Sequence, residues 1–189
     1  MLGISPDLLG TTDPARRRFG VAALVGLIGG AFSAIVKFGW EVPFPPRTPE
    51  RNEVNPPQTL LEQIGFPESV SRATVEFNGW DLPISSFVVH FGFAIAFGLI
   101  YCLVAEVWPL VKLWQAAAAG LVLWIFFHVL LMPAMGTVPA PWDQPWQEHF
   151  SEALGHVIWM WSIEIVRRDL RNRITHEPDP EVPLASRSA

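Results

Sequence analysis

Long apolar runs divide the chain, and they predict its architecture before any motif does. Residues 19–40, 85–107 and 113–132 carry few charged side chains, and each has the roughly 20 residues that a helix needs to cross a bilayer. A fourth run, residues 146–166, is apolar in its middle but polar in its outer third. The pattern predicts an all-α integral membrane protein, a small bundle of four transmembrane helices, or of three if the fourth run lies in the membrane interface.

The segments between these runs are polar. Residues 41–84 open with a proline-rich stretch and then contain "PPQTLLEQIG" and "ESVSRATVEF", each of which predicts a short helix. Residues 133–145 form a second loop, and residues 108–112 form a tight turn. The basic tail comprises residues 167–189, and we expect its end, the string "ITHEPDPEVPLASRSA" at 174–189, to be disordered because it has too few apolar residues to pack.

Basic residues are placed unequally, and this predicts the orientation. Loop 41–84 holds three arginines beside seven acidic residues, and loop 133–145 holds no Lys or Arg. With four spans, the basic residues next to the spans all lie on one side: Arg16, Arg17, Arg18, Lys112, Arg167, Arg168, Arg171 and Arg173. Because cytoplasmic loops of membrane proteins are enriched in Lys and Arg, we expect residues 1–18 and 167–189 to be cytoplasmic and both loops to be periplasmic.

The composition agrees with a membrane protein and excludes some other classes. Only 16% of the residues are charged, whereas soluble domains have about 25%. The single cysteine, Cys102, cannot form an intramolecular disulfide. The basic residues form short clusters beside apolar runs rather than a broad basic face, so we expect no nucleic-acid partner and name the lipid bilayer as the partner.

Titratable side chains recur in the outer half of all four predicted spans. In the fourth span Glu148, Glu152 and His156 follow an i, i+4, i+8 spacing and share one helix face with His149. Such a face is costly to expose to lipid, so we expect it to face the bundle interior or an aqueous cavity. The predicted polar cluster is Lys37, Glu41, His90, His128, Glu148, His149, Glu152 and His156.

Two kinds of chemistry suit this cluster. Intramembrane His and Glu groups form proton-responsive networks in pumps and transporters. Imidazole and carboxylate together also bind transition metals, although the chain has no HExxH motif. A third interpretation is that the polar groups only lock helix packing in a structural or assembly factor. The candidate metal ligands are His90, His128, His149, Glu152 and His156.

Small residues in the first span predict a close helix contact. Gly26, Gly30 and Ala34 lie on one face at four-residue spacing, a pattern that lets two backbones approach closely within a bundle or between subunits. We therefore expect helix packing at this row and a homo-oligomer. Glu106 and Glu164 are expected to pair with Lys112, Arg167 or Arg168.

Three long strings resemble the YagU family of bacterial inner-membrane proteins: "RRRFGVAALVGLIGGAFSAIVKFGWEVPFPPRTP", "YCLVAEVWPLVKLWQ" and "WSIEIVRRDLRNRITHEPDPEVPL". The resemblance covers both ends and the middle of the chain. It implies an integral inner-membrane protein with a part in acid resistance. It supplies no catalytic residue, cofactor or substrate.

Taken with the polar cluster, the resemblance predicts a protein that serves acid tolerance by protonation of its outer His and Glu residues. The chain has no nucleotide-binding loop, nucleophile elbow or CxxC motif, so we favour a function that is not enzymatic. The alternative is a metal-binding membrane protein or a metal-dependent membrane enzyme that uses the same residues.

Overall fold

The structure is a computed structural model that describes residues 8–184, and it is a helical bundle with one small hairpin. The prediction of an all-α membrane protein is confirmed. The elements are α1 Phe19–Glu41, α2 Pro56–Gln63, α3 Glu68–Ser71, β1 Thr74–Phe77, β2 Trp80–Pro83, α4 Ile84–Ala105, α5 Ala117–Ala134 and α6 Trp146–Thr175.

Three of the helices, α1, α4 and α5, are long and apolar enough to cross a membrane. The start of α5 lies four residues later than the sequence predicts. Trp114, Gln115 and Ala116 adopt positive φ angles of 53°, 55° and 67°, and this left-handed stretch cannot continue a right-handed helix. Within α5, Ile125–Leu131 forms a π-helical segment, a local widening that is frequent at functional sites.

Helix α6 is more polar, but it lies antiparallel to α1 along the whole length of α1. The Trp40 indole at one end donates a hydrogen bond to the Ser151 carbonyl at 3.0 Å. At the other end, the Arg171 guanidinium donates to the Arg16 carbonyl at 3.2 Å. The stretch between Ser151 and Arg171 rises about 30 Å, which is the thickness of the hydrocarbon core. Hence α6 runs alongside α1 over the full length of α1.

The four long helices are ordered α4, α1, α6, α5, each packed against the next. The close approach of α1 to α4 uses the predicted glycine row. A Cβ atom on Gly30 would lie 2.6 Å from the Ala94 carbonyl oxygen, and one on Gly26 would lie 2.8 Å from the Gly98 carbonyl oxygen. Ala34, the third member, is fully buried. The row therefore packs inside the bundle.

The segment between α1 and α4 contains the expected short helices and a hairpin that the sequence prediction lacks. Asn55 caps α2 in a reciprocal capping box with Gln58. The second predicted helix ends at Ser71, because the chain continues as strand β1. Strands β1 and β2 pair antiparallel, Phe77 opposite Trp80. Asn78 and Gly79 between them have φ angles of 53° and 81°, which suit a tight hairpin turn.

The other end of the bundle, where α1 and α5 begin and α4 ends, is held by buried ion pairs. We call it the basic end, and the end with segment 42–83 the loop end. Arg171 and Glu106 form a fully buried pair. Arg167 bridges Glu164, at 2.5 Å, and Asp179, at 2.9 Å. The expected partner of Glu164 is therefore present, whereas Glu106 binds Arg171 instead of Lys112.

The first part of the tail is ordered, so the prediction of disorder is wrong for residues 174–184. Lys112 binds Asp179 at 3.5 Å and Glu181 at 2.5 Å. Burial by itself would raise the pKa of Asp179, but the nearby Arg167, Lys112 and Arg171 outweigh it and lower this pKa below its usual value. Charge pairing rather than apolar burial orders the tail, which explains why a hydropathy argument missed it. Residues 185–189 lie outside the described residues.

Candidate functional site

A cavity of about 690 Å³ lies at the loop end, between α1, α4, α5 and α6. The proline-rich residues after α1 and the start of α2 border it on the side away from the bundle core. Its volume is in the range of small-molecule sites. The apolar part of the wall is formed by Phe38, Phe87, Phe93, Phe127, Leu131, Met132 and Met135.

Glu152 is the centre of the polar part of the cavity. Its side chain is only 7% exposed, and its two oxygens have different surroundings. Oε1 accepts a hydrogen bond from Arg47 Nη2 at 2.9 Å. Oε2 lies 3.6 Å from Lys37 Nζ, 3.6 Å from His128 Nε2 and 3.8 Å from His156 Nδ1, which is too far for a direct hydrogen bond. Buried Oε2 therefore has no hydrogen-bond partner among the described residues.

The hydrogen bonds of His156 fix its tautomer. His156 Nδ1 lies 2.8 Å from the Glu152 carbonyl oxygen, one turn earlier in α6. A carbonyl oxygen only accepts, so Nδ1 carries the hydrogen and Nε2 of the neutral ring is left as an acceptor. The His128 ring packs edge-on against the His156 ring, with centroids 4.8 Å apart. His128 lies in the π-helical part of α5.

Fixed charges balance around Glu152. Lys37 binds Glu41 one turn later in α1, and Arg47 binds Glu152. The cavity therefore holds two cations and two carboxylates before either imidazole is protonated. A proton added to His128 or His156 makes the site net positive.

His90 lines the same cavity but on the α4 side. Its ring stacks on Phe38 with centroids 4.0 Å apart, and its Nε2 lies 3.2 Å from the Ala34 carbonyl oxygen. Because that oxygen can only accept, Nε2 is the protonated nitrogen. His90 is thus a wall residue with its own hydrogen bond.

Two of the predicted cluster residues, Glu148 and His149, lie elsewhere. Glu148 is buried and pairs with Arg51 at 3.1 Å. His149 Nε2 donates to the Pro141 carbonyl at 2.8 Å. The helix-face argument grouped both with Glu152, but a loop outside the bundle holds each of them, and the spacing within α6 cannot show such a contact.

Arg47 and the aromatic wall are the parts of the site that the sequence prediction missed. Arg47 ends the string "EVPFPPR", and this string docks on α6 one residue before Glu152, because Ser151 Oγ donates to the Phe44 carbonyl at 2.5 Å. Phe44 also stacks on Trp40 with centroids 4.2 Å apart. Prolines on either side of Phe44 restrict the backbone and help to direct Arg47 back over the cavity. An arginine after a proline-rich turn was the available signal.

Helices α4 and α5 border the cavity without packing backbone to backbone. Their seam is closed by side chains: Phe127 meets Phe93 at 4.9 Å and Phe97 at 5.5 Å between centroids, edge to face. The rings of Phe93, Phe97 and Phe127 therefore lie in the seam beside the cavity.

One further property of the cluster concerns metals. His128, Glu152 and His156 each offer one ligand atom, and these atoms lie within 4.8 Å of one another. Two imidazoles and one carboxylate form a common zinc ligand set with an open position. Lys37 and Arg47 lie beside the same carboxylate, and their charges oppose the binding of a dication.

Together, the three apolar helices and the cavity with its buried polar cluster define a polytopic helical membrane protein with a chamber at one end of its bundle. The chain belongs to the family described as "Protein of unknown function (DUF1440)", whose model matches residues 31–165. It is 46% identical over 198 residues to the Inner membrane protein YagU of Escherichia coli (strain K12), covering 93% of this chain and 96% of that relative. No solved structure matches it.

Proposed function

We propose that this chain is an inner-membrane protein that supports acid tolerance, and that Glu152, His128 and His156 take up protons from the periplasm. The observation that carries the proposal is the Glu152 carboxylate: Oε2 is buried and unpartnered, with two imidazoles 3.6 and 3.8 Å away. A proton on His128 Nε2 faces this oxygen, and a small movement of the ring then gives the oxygen the hydrogen bond that it lacks. Buried polar groups gain most when such a bond forms.

The orientation is part of the proposal. Four spans, both termini in the cytoplasm and the loop end in the periplasm agree with the positive charges at the basic end and with α6 lying beside α1. In this orientation the chamber faces the compartment that acidifies first. The basic end remains at cytoplasmic pH.

Protonation has a structural consequence in this geometry. Glu41, Lys37, Arg47, His90, His128, Glu152 and His156 are the charged and titratable groups around the cavity. A proton on either imidazole near Glu152 competes with Arg47 for that carboxylate and repels the guanidinium. The proline-rich segment then loses the ion pair of Arg47 to α6, while Arg51 still pairs with Glu148, and the part of the segment over the cavity moves away and opens the chamber to the periplasm.

Acid survival of cells tests the proposal. Glu152→Gln and His156→Gln keep hydrogen-bonding capacity and remove the titrating group, so they should abolish any survival advantage that the wild type confers in cells lacking a family member. Glu148→Gln is the matched control, since Glu148 is also buried in α6 but pairs with Arg51 outside the cavity. Membrane abundance is equalised by immunoblot. Full survival with both cluster variants would overturn the proposal.

The metal-binding alternative rests on the close approach of His128, Glu152 and His156. Elemental analysis of purified protein, with His156→Gln against the control His149→Gln, tests it. A stoichiometric transition metal that only His156→Gln removes would replace protonation as the function. Loss of acid survival with no metal in the wild type would exclude the alternative.

A further inference from the structure

The cavity is larger and more apolar than a proton site needs. Protonation of Glu152 involves the polar end of the cavity alone, whereas most of the wall is aromatic, Leu or Met. Small-molecule sites have this combination of an apolar wall and a few convergent polar groups. The wall chemistry fits an alkyl chain, and about 690 Å³ suits one chain better than a whole two-chain lipid.

Buried polar atoms without hydrogen-bond partners indicate the chemistry of the head group of such a ligand. Within residues 8–184, Glu152 Oε2 is an acceptor without a donor, and the Trp159 indole Nε1 is a buried donor without an acceptor. Both residues border the cavity, and they lie seven residues apart on one face of α6. His156 Nε2 adds a second acceptor. A head that both donates and accepts hydrogen bonds meets these groups.

The charged side chains of the cavity further restrict the chemistry of the head group. Lys37 and Arg47 border the same polar end, where Glu41 and Glu152 balance their charge, so a head with no fixed charge fits best, and such a head gains charge-assisted hydrogen bonds to the cations when it releases a proton. A carboxylic acid has both properties: its O–H donates and its carbonyl accepts, and after loss of the proton its carboxylate pairs with the cations.

The route of entry follows from the seam between α4 and α5. These helices do not pack backbone to backbone, and the rings of Phe93, Phe97 and Phe127 close the gap. Side chains change rotamer far faster than helices separate, so an alkyl chain in the bilayer can pass between these rings.

We infer that the cavity binds a long-chain carboxylic acid from the membrane, with its chain against the aromatic wall and its head among Glu152, His156, Lys37 and Arg47. The inference concerns the same chamber as the proposed function, but it does not require proton uptake to protect cells.

Direct labelling of the wild-type protein tests the inference. The full chain is placed in nanodiscs of zwitterionic phospholipid at neutral pH with a photoreactive fatty acid that carries its diazirine in the chain. Labelled peptides should come from the cavity wall, with Phe127, Leu131 or Met132 modified. Hexadecanoic acid should displace the probe at a concentration about tenfold or more below that of hexadecanol, because the carboxylate adds charge-assisted bonds. Hexadecyltrimethylammonium should compete worse than both.

Matched variants distinguish the contacts of the ligand's alkyl chain from those of its head group. Leu131→Trp fills the cavity, whereas Leu130→Trp changes its exposed neighbour, which does not border the cavity. Only the first should lose labelling. For the head, Arg47→Gln should weaken binding about tenfold, and Arg51→Gln, whose partner is Glu148, should not. Folding of each variant is checked by its size-exclusion profile and melting curve.

Several results would overturn the inference: labelling spread evenly over lipid-facing residues, equal competition by acid and alcohol, or displacement by anionic phospholipid as effective as by the acid. The last result would make the occupant a two-chain lipid. Saturable labelling of the wall that hexadecanoic acid displaces preferentially would support it even if Leu131→Trp does not fold. Acid survival is measured in cells and labelling on purified protein, so the two proposals can fail separately.

Discussion

Arg47 and Glu152 lie 105 residues apart in the chain, yet Arg47 Nη2 donates to Glu152 Oε1 at 2.9 Å. The contact joins the proline-rich segment after α1 to the middle of the polar face of α6. Both side chains are largely buried, at 14% and 7% exposure, so water screens the pair only weakly. This ion pair connects the proline-rich segment, which borders the chamber, to Glu152 inside the chamber.

The first prediction concerns the strength of this contact. Arg47→Gln and Glu152→Gln, made singly and together, should show an interaction energy of about 1–3 kcal/mol in the free energy of unfolding, because the two residues are in contact. Denaturant titration in detergent micelles measures it. Hydrogen exchange in residues 42–55 should also increase in Arg47→Gln.

Arg51→Gln combined with Glu152→Gln is the control for that cycle. Arg51 lies on the same segment, but its partner is Glu148. Its interaction energy with Glu152 should be close to zero. Additive effects of Arg47→Gln and Glu152→Gln would show that the ion pair does not hold the segment.

The second prediction concerns topology. A reporter that is active only in the periplasm should be silent after Ala189 and active after Gly136, because four spans return the chain to the cytoplasm. Reporter activity at both sites would mean that α6 does not cross the membrane.

Sequence reasoning predicted the parts of this protein that are local. The spans at 19–40 and 85–107 follow from long apolar runs and differ from α1 and α4 by at most two residues at each end. The i, i+4 spacing of Glu152 and His156 likewise needs only helix geometry.

The remaining features depend on contacts between distant segments or on local backbone signals that hydropathy does not contain. An apolar run does not indicate that α1 packs between α4 and α6, or that Arg47 reaches Glu152. The tail is ordered because Asp179 and Glu181 meet cations from other segments. The hairpin, by contrast, had a local signal in Asn78-Gly79 that the helical prediction for this segment overlooked.

The third prediction concerns the glycine row. Gly30→Leu should lower the free energy of unfolding by about 1–3 kcal/mol or more, because a Cβ at this position meets the α4 backbone at 2.6 Å. Leu27→Ala should change it less, since Leu27 is 44% exposed on the outer face of α1. The same denaturant titration measures both, and native mass spectrometry of the wild type tests self-association separately. Equal effects of the two substitutions on the free energy of unfolding would mean that α1 and α4 can move apart at little cost.

The last prediction concerns Asp179 and pH. The pKa of Asp179 is lower in the folded protein than in the unfolded chain, because Arg167, Lys112 and Arg171 outweigh its burial. A carboxylate with a depressed folded pKa contributes its full stabilisation above the unfolded pKa of about 3.9, and loses it as the pH falls through the folded pKa. Asp179→Asn removes this contribution at every pH.

We therefore expect Asp179→Asn to cost about 1–3 kcal/mol of unfolding free energy at pH 7, the scale of hydrogen bonds to charged groups. The difference from the wild type should stay constant down to about pH 5 and shrink below about pH 4. Asp169→Asn is the control, because the Asp169–Arg173 pair is exposed and such pairs contribute about 0–1 kcal/mol. Denaturant titrations of the purified proteins across this pH range measure both. A difference that grows on acidification would show that Asp179 is destabilised in its charged form, so that the basic end would not be held by charge pairing through the tail.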